Sequence, residues 1–329
     1  MTSMTIREKL APEVARRLIE LACLAPSVHN TQPWAWQFGG DRVLLYADRS
    51  RTLPLEDPDG RNLVLSCGAA LHHFRVAARA LGWDTHVEVL PEGADGDLLA
   101  AISLTPGHRS PTPSDDLSVL RTRCTDRRRF TMWPVPDAQL DALAEEAREW
   151  GCAALPVSDL STRFRIELLT IRAHDLRAHD RAAIAEQDAW VGRGGYDGIP
   201  HEVLPSPDTA AVHQTHQVRF DGGVVPESRT VVESGDGVIV LGGAHDGPAD
   251  WLRTGEGLSA LWLRATRAGL SVVPLSLPVE VEAVRLELKH FVVEDAFVPH
   301  MMVRIGWQAI GRSELPRTPR RPVSEVLRP

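Results

Sequence analysis

Hydrophobic positions recur at helical spacing in several segments of the chain, where apolar side chains share one face. Gly82 and Gly269 stand just beyond two of these segments, where a left-handed helix cap is expected. Pro26 ends the first of them. The predicted helices cover residues 11–25, 60–81, 137–150, about 159–190, 250–268 and 279–289.

Shorter β-branched or alternating runs predict strands between these helices. Gly39, Gly40 and Asp41 separate the first two runs and form a hairpin signal. The predicted strands cover residues 34–38, 43–47, 86–90, 98–104, 238–241, 270–273 and 301–305. Because helices and strands alternate in both halves, the fold class is α/β or α+β.

The length of 329 residues is sufficient for about two domains. Residues 105–116 (TPGHRSPTPSDD) are rich in proline and serine and are the best linker candidate. We therefore expect a first domain over 1–110 and a second over 111–329. Residues 191–235 lack clear periodicity, and an irregular span of this length is typical of a lid or a disordered insertion.

Composition and charge exclude several function classes. Hydrophobic residues make up 43% and charged residues 24% of the chain, as in ordinary globular proteins. The net charge of −8 gives no support to a nucleic-acid or anionic-membrane partner. No apolar run is long enough to span a membrane, and the first residues lack the features of a secretory signal. We therefore expect a cytoplasmic protein. Its four cysteines form no CxxC pair, and we expect them to be free thiols.

The histidines do not form a convincing metal site. The closest pairs are five and three residues apart, whereas ligands on one helical face prefer a separation of four with a nearby carboxylate. These pairs are His174 with His179 and His213 with His216. No metal is therefore expected.

The segment from Ala25 to Trp34 (APSVHNTQPW) joins a predicted helix to a predicted strand. Ser27, Asn30 and Gln32 carry donors and acceptors that could bind the edge of a heterocycle or a ribityl chain. The alternative is an Asx or Ser turn that only connects the two elements.

Residues 121–130 (RTRCTDRRRF) place five arginines beside one aspartate in an acidic protein. Guanidinium groups bind phosphate bidentately, and a threonine hydroxyl adds a neutral donor. The alternative is a solvated charge run.

Two further segments are weaker signals. Residues 270–278 form a strand that enters a proline-bounded turn, which could aim backbone N–H groups at a ligand ring or simply connect two elements. Residues 317–322 (RTPRRP) alone are a basic tail.

In combination and order, these segments resemble the nitroreductase-like flavoprotein family. The closest likeness is to the Acg-like branch, whose chains carry two tandem nitroreductase halves. The matching stretches span roughly residues 15–329 and are LACLAPSVHNTQPWAW, DPDGRNLVLSCGAALHHFRVAARALGW, RCTDRRRF, LWLRATRAGLSVVPLS and MMVRIGW followed by RRPVSEVL. The resemblance implies an α+β nitroreductase fold, with two halves packed as an intramolecular pseudo-dimer, and FMN as cofactor.

The resemblance also implies roles for individual residues at the phosphate. Arg123, Thr125 and Arg127 match the family's Arg-x-Ser/Thr-x-Arg/Lys phosphate pattern. Arg320 matches a C-terminal basic residue that contacts the same phosphate. Cys124 departs from the pattern, because many members have His or Arg at this position.

The flavin ring has its own matching residues. The loop that packs on the ring from the other half corresponds to Pro26, Ser27, Val28 and Asn30. The turn that faces flavin N5 corresponds to Pro274, Ser276 and Leu277. Many members have Glu-Gly where this chain has Ser276-Leu277. Because of this difference, the usual hydrogen-bond donor to flavin N5 is not assured in this chain.

The implied activity is ping-pong hydride transfer from NAD(P)H through FMN to a nitro or quinone-like acceptor. Because each motif occurs once, we expect one FMN per chain, in a monomer or a homodimer. The alternative is an FMN-binding or sequestering protein whose insertion closes over the flavin and permits little turnover. No residue is assigned as a catalytic acid or base.

Overall fold

The computed structural model describes residues 11–39, 42–128, 130–204, 235–311 and 316–329. Two sheets form the framework of the fold. The first sheet and its helices comprise α1 (Pro12–Ala22), β1 (Trp34–Gly39), β2 (Arg42–Ala47), α2 (Arg61–Ala80), β3 (Trp83–Val89) and β4 (Leu98–Pro106). After α3 (Pro113–Thr122), the second comprises α4 (Asp137–Arg148), β5 (Ala153–Val157), α5 (Leu160–Ala178), α6 (Arg181–Asp188), β6 (Gly237–Gly243), α7 (Pro248–Arg267), β7 (Leu270–Leu275), α8 (Leu277–Glu280), α9 (Glu282–Phe291), β8 (Val298–Trp307) and α10 (Val323–Val326).

The two sheets have the same topology. Their strand orders are β1-β2-β4-β3 and β5-β6-β8-β7, and all neighbouring strands are antiparallel. In each sheet a long helix, α2 or α7, lies between the second and third strands of the chain order. The fold is therefore α+β and built from two similar halves, as the sequence predicts.

The two long helices cross where each carries a glycine. A Cβ atom on Gly68 would meet the Leu252 carbonyl oxygen at 2.1 Å, and a Cβ on Gly255 would meet the Leu65 carbonyl oxygen at 2.1 Å. These contacts are reciprocal, so Leu65 corresponds to Leu252 and Gly68 to Gly255 across an approximate twofold axis. The halves pack as a pseudo-dimer because both helix backbones can approach this closely.

The hydrophobic core is continuous across the two halves. Trp34 and Trp36 of β1 and Trp262 of α7 are almost fully buried and belong to one cluster. The C-terminal segment also crosses back to the first sheet, since the Arg328 N–H donates to the Trp36 carbonyl oxygen at 2.7 Å. The halves are thus joined by core packing and by the C-terminal segment, which contacts the first sheet.

Several predicted elements differ in detail from the structure. The helix predicted over 159–190 is divided into α5 and α6 at Asp180, whose side chain caps α6 by accepting from the Ala183 N–H. The helix predicted over 279–289 is two short helices, α8 and α9. Strand β5 and helix α3 were not predicted. Pro156 weakens the strand signal in β5, which is tolerated because β5 is an edge strand.

Two global properties bear on function. Across the described ranges, every helix is too short or too polar to cross a bilayer. The same ranges hold no cluster of three or more side chains suited to binding a metal ion. The predicted boundary near residue 110 falls between β4 and α3 and stays a prediction.

Candidate functional site

A cavity of about 700 Å³, counting the part open to solvent, lies between the two halves. We call it the central cavity. The first half lines it with Pro26, Ser27, Val28, His29, Asn62, Leu65, Ser66 and Ala69. The second half lines it with Thr125, Arg127, Leu258, Trp262, Pro274, Ser276 and Met301.

The loop before β1 enters this cavity in a strained conformation. His29, Asn30 and Gln32 all have positive φ angles, of 45°, 55° and 49°. Side chains other than glycine rarely adopt this left-handed region, and such strain persists where the surrounding structure enforces it. The Ser27 hydroxyl closes the turn by accepting from the Gln32 N–H at 2.9 Å. Ser27 thus closes a turn, as the second interpretation expects, and this turn also forms part of the cavity wall, while its contact with a heterocycle or ribityl chain stays a prediction.

Neighbouring segments hold the loop in place through Asn30 and Gln32. The Asn30 amide donates to the carbonyl oxygens of Gly198 at 2.9 Å and Pro319 at 3.0 Å. The Gln32 amide donates to the Tyr196 carbonyl oxygen at 2.8 Å and accepts from a backbone N–H at 2.8 Å. Both side chains are buried and outside the lining of the central cavity. They therefore brace the loop, and their predicted contact with a cofactor stays a prediction.

A second cavity of about 620 Å³ adjoins the central one and is rich in arginine. Thr125 lines both cavities, so the two are neighbours. Arg123, Arg320 and Arg317 also line the second one, which we call the arginine cavity. The structure thus brings the predicted phosphate residues of the charge run and of the C-terminal segment together.

Arg123 is buried and Arg320 is partly buried, and neither has a carboxylate partner within the described part of the chain. Both donate to the Leu24 carbonyl oxygen, at 3.4 Å and 3.3 Å. Arg320 also donates to the Asn30 side-chain oxygen at 3.1 Å, and Arg123 lies over the Trp262 ring at 4.7 Å. The Nε and Nη1 of Arg123 and the Nε of Arg320 have no hydrogen-bond partner.

Burial and mutual repulsion act on both guanidinium groups. Burial, followed by the charge of Arg320, lowers the pKa of Arg123 from 12.5 to about 9. Burial also lowers the pKa of Arg320 to about 10, with Arg317 acting in the same direction. Buried cations in this state gain stability from an anion. The arrangement therefore fits an anion with more than one negative charge.

The other arginines of the charge run have different surroundings. Arg128 forms a two-pronged ion pair with Asp126, with contacts of 2.7–3.2 Å. Arg127 lines the central cavity. Arg129 lies outside the described residues. The run is thus divided between cavity walls and a local ion pair, so the solvated-run alternative does not describe it.

The turn after β7 forms part of the opposite wall. Pro274 and Ser276 line the central cavity, as expected of residues that face a bound ring. Leu277 begins α8 and packs in the core of the second half instead. Its predicted contact with a cofactor stays a prediction.

Residue patterns alone did not identify His29 as part of a pair. The His29 Nε2 lies 2.5 Å from Glu56 Oε2, and the two side chains are 4% and 1% exposed. Asn62 was also missed. Its amide donates to Glu280 at 3.1 Å, while its own oxygen is buried without a partner in the cavity wall. Only position within the HNTQPW and DPDGRN stretches pointed to these residues.

Two residues of the cavity wall have charged counterparts in the other half. Ala69 and Trp262 line the central cavity, and the helix crossing relates them to Glu256 and Arg75. Glu256 is buried and forms an ion pair of 2.7 Å with Arg75, which lies over the Trp150 ring at 4.4 Å. The two halves therefore differ in charge at corresponding positions.

The predicted insertion over 191–235 is described only up to residue 204; residues 205–234 lie outside the described residues. Its first part packs beside the loop that carries Asn30 and Gln32. Asp197 forms an ion pair with Arg51, and Gly198 donates its N–H to the Asn30 carbonyl oxygen at 3.4 Å. Val203 reaches the arginine cavity. The segment therefore borders the site.

Comparison with known proteins gave relatives that match nearly the whole chain, although no protein-family model matches it. "Putative NAD(P)H nitroreductase Rv3131" of Mycobacterium tuberculosis is 33% identical over 316 residues, which cover 96% of this chain and 91% of the relative. "Putative NAD(P)H nitroreductase acg" of the same organism is 33% identical over 341 residues, with 96% and 95% covered.

Solved structures of similar folds are more distant. The FMN-dependent nitroreductase NfnB of Mycobacterium smegmatis, in complex with NADPH, has a TM-score of 0.43 and 16% identity over 65% of this chain and 97% of its own. A "putative nitroreductase" of Anabaena variabilis has a TM-score of 0.45 and 9% identity over 90% and 74%. On the full-length sequence matches, the chain belongs to the nitroreductase family, in the branch that contains the mycobacterial Acg protein.

Proposed function

We propose that the protein binds FMN between its halves and uses it to reduce a nitro or quinone-like acceptor with NAD(P)H. The observation that carries the proposal is the pair of guanidinium groups without carboxylate partners, buried Arg123 and partly buried Arg320, beside a cavity that both halves line. Family membership and the FMN named for the nitroreductase NfnB support the same cofactor.

The residues present fit FMN in their charge and in the positions of their hydrogen-bonding groups. A phosphate monoester carries nearly two negative charges at neutral pH, which matches the two unpaired cations. Thr125 lies between the arginine cavity and the central cavity, where a chain linking a phosphate to a ring would pass. The unpartnered Asn62 oxygen offers an acceptor for a ring N–H in the central cavity.

Each group of residues has a separate task in this proposal. Arg123, Thr125 and Arg320 would hold the phosphate, and the 26–28 segment with Pro274 and Ser276 would enclose the ring. When bound, FMN accepts a hydride from NAD(P)H and passes it to the acceptor in a ping-pong cycle. The apolar wall formed by Leu258, Trp262 and Met301 would keep water from that ring.

One FMN per chain is expected, because each of the two motifs occurs once in the chain. At the positions that correspond to Ala69 and Trp262 of the central cavity, Glu256 and Arg75 form an ion pair of 2.7 Å instead. Quantifying released FMN by absorbance against the protein concentration measures this ratio. A ratio near two would contradict the proposal.

A second candidate is an FMN-binding protein that sequesters the flavin and turns over slowly. The contacts of Asp197, Tyr196 and Gly198 with the loop around Asn30 favour it, because they fix the beginning of the insertion beside the site. In this case the insertion would restrict entry of NAD(P)H or the acceptor.

The visible spectrum of the purified protein, followed by anaerobic addition of NADH or NADPH, separates these possibilities. Flavin absorbance that bleaches rapidly and is restored by a nitroaromatic or a quinone supports the oxidoreductase. Absorbance that bleaches only with dithionite supports sequestering. A colourless protein that rejects added FMN would refute both.

A further inference from the structure

His29, which pairs with Glu56, lines the central cavity, and the proposed function assigns it no task. Of the described residues that line this cavity, His29 and Arg127 alone are ionisable. An imidazole is the side chain suited to exchange protons near neutral pH, whereas a guanidinium keeps its proton. His29 is therefore the only lining group of the described chain suited to proton transfer.

The backbone and the carboxylate fix the imidazole firmly. His29 has a φ of 45°, so its side chain is carried by a strained, left-handed turn. Its Nε2 contacts the Glu56 carboxylate at 2.5 Å, and both side chains are buried. A buried carboxylate on one ring nitrogen fixes the orientation of the ring.

Glu56 is itself held by two neighbouring groups. Its backbone N–H donates to the Glu186 carboxylate of α6 at 2.9 Å. The next residue, Asp57, caps α2 by accepting from the N–H groups of Asn62 at 3.0 Å and Leu63 at 2.9 Å. The turn that carries Glu56 is thus attached at both sides, and the carboxylate position follows from it.

We propose that His29, oriented by Glu56, supplies the proton that accompanies each hydride to the acceptor. This inference rests on the proposed function. A quinone becomes a hydroquinone by gaining one hydride, which NAD(P)H supplies by way of FMN, and one proton. The proton leaves an imidazolium N–H for the acceptor oxygen, and solvent reprotonates the neutral ring. Glu56 is a positioning residue that holds the ring.

Other charged groups lie near the pair. Glu56 and Asp57 belong to the turn that contacts His29, and Glu186 of α6 contacts that turn. Glu280 of α8 acts on Asp57, and Arg127 lines the central cavity together with His29.

The test separates the two half-reactions by anaerobic stopped flow, with menadione as the quinone probe. In His29→Gln we expect flavin bleaching by NADPH and FMN affinity to change less than about threefold, and reoxidation by menadione to slow about 100-fold, the usual contribution of a general acid. The solvent isotope effect on reoxidation should disappear. Glu56→Gln should slow the same step by a smaller factor.

The matched control is His290→Gln. His290 also pairs with a carboxylate, Asp295, at 3.0 Å, but both side chains are largely exposed and outside the cavity lining. Its substitution should leave both half-reactions unchanged. If His29→Gln does not fold, Glu56→Gln and the NMR measurement below carry the test.

A spectroscopic measurement does not depend on turnover. The protein is labelled with [15N]histidine. The proposal requires the His29 Nε2 to carry a proton shared with Glu56. It also requires the 15N chemical shift of the other ring nitrogen, Nδ1, to change when FMN is added. An unprotonated Nε2, or unchanged reoxidation in His29→Gln, overturns this inference alone. A wild-type protein that binds no FMN overturns the proposed function, and this inference with it.

Discussion

Replacing Arg123 by methionine should make the FMN-free protein more stable and its affinity for FMN lower. The reason is the buried charge: the pKa of Arg123 falls from 12.5 to about 9 because burial and the charge of Arg320 disfavour the cation. At about 1.4 kcal/mol per pKa unit, keeping this cation in the folded chain costs roughly 5 kcal/mol at neutral pH. Methionine fills similar space without the charge.

Part of that gain is offset by lost contacts. The long hydrogen bond to the Leu24 carbonyl oxygen is worth about 1 kcal/mol, and the buried stacking on Trp262 about 2 kcal/mol. Arg320 still donates to Leu24, so the carbonyl oxygen keeps a partner. The net expectation is an increase of about 2 kcal/mol in the free energy of unfolding.

The effect on FMN has the opposite sign. Charge-assisted hydrogen bonds contribute about 1.5–3 kcal/mol each, so loss of the Arg123 contact should raise the Kd of FMN about 100-fold. Urea unfolding of the FMN-free protein measures stability, and quenching of flavin fluorescence measures affinity. Arg16→Met is the control, because the Arg16 side chain is 62% exposed on α1 and distant in the chain from both motifs.

The pH dependence of stability follows from the same pKa. Because the folded-state pKa of about 9 is below the unfolded value, the cost of the Arg123 cation is present in full below pH 9. It is lost only as the pH rises from about 9 towards 12.5.

An Arg123→Met variant that is less stable than wild type without FMN, and that retains the wild-type affinity for FMN, would refute the phosphate assignment.

Two further predictions concern the framework of the site. Burial raises the pKa of Asp57 from 3.8 to about 6, so its contribution to stability is largest below pH 3.8 and is lost as the pH rises through 6. Relative to wild type, Asp57→Asn should therefore gain about 2 to 3 kcal/mol between pH 4 and pH 7 in urea unfolding, and a constant difference would contradict the burial argument. Gly68→Ala should destabilise the chain by about 3 kcal/mol despite alanine's better helix propensity, because its Cβ would meet the Leu252 carbonyl oxygen at 2.1 Å. Gly39→Ala, with nothing within 4 Å of the added carbon, is the control, and equal effects of both in thermal unfolding would dismiss the close crossing.

The main helices and the first hairpin could be predicted from the sequence because their signals are local. Apolar periodicity defined α2 and α7, and Gly82 and Gly269 follow them with the positive φ angles of 86° and 76° expected of caps. Strand β5 was missed because an alanine-rich pentapeptide with an internal proline has little intrinsic strand preference. Its position comes from pairing with β6, which is a tertiary effect.

The site was predictable only in part, for a similar reason. Residue types show which side chains can bind an anion, and the structure does bring Arg123, Thr125 and Arg320 to adjoining cavities. Residue types do not show which polar groups are already engaged, so the contacts by which Asn30 and Gln32 brace the loop could not be predicted. The His29–Glu56 contact joins positions 27 residues apart and depends on a left-handed backbone, and neither fact is visible in the sequence.

The reciprocal contact of Gly68 and Gly255 has an evolutionary consequence. In an assembly of two identical copies, every substitution appears twice, so a change that fills one site fills both. Covalent fusion of the copies removes that restriction. The Arg75–Glu256 ion pair is such a difference, because the corresponding positions in the central cavity hold Trp262 and Ala69. A single polypeptide with two similar halves can differ at corresponding positions, whereas a strictly symmetric homodimer cannot.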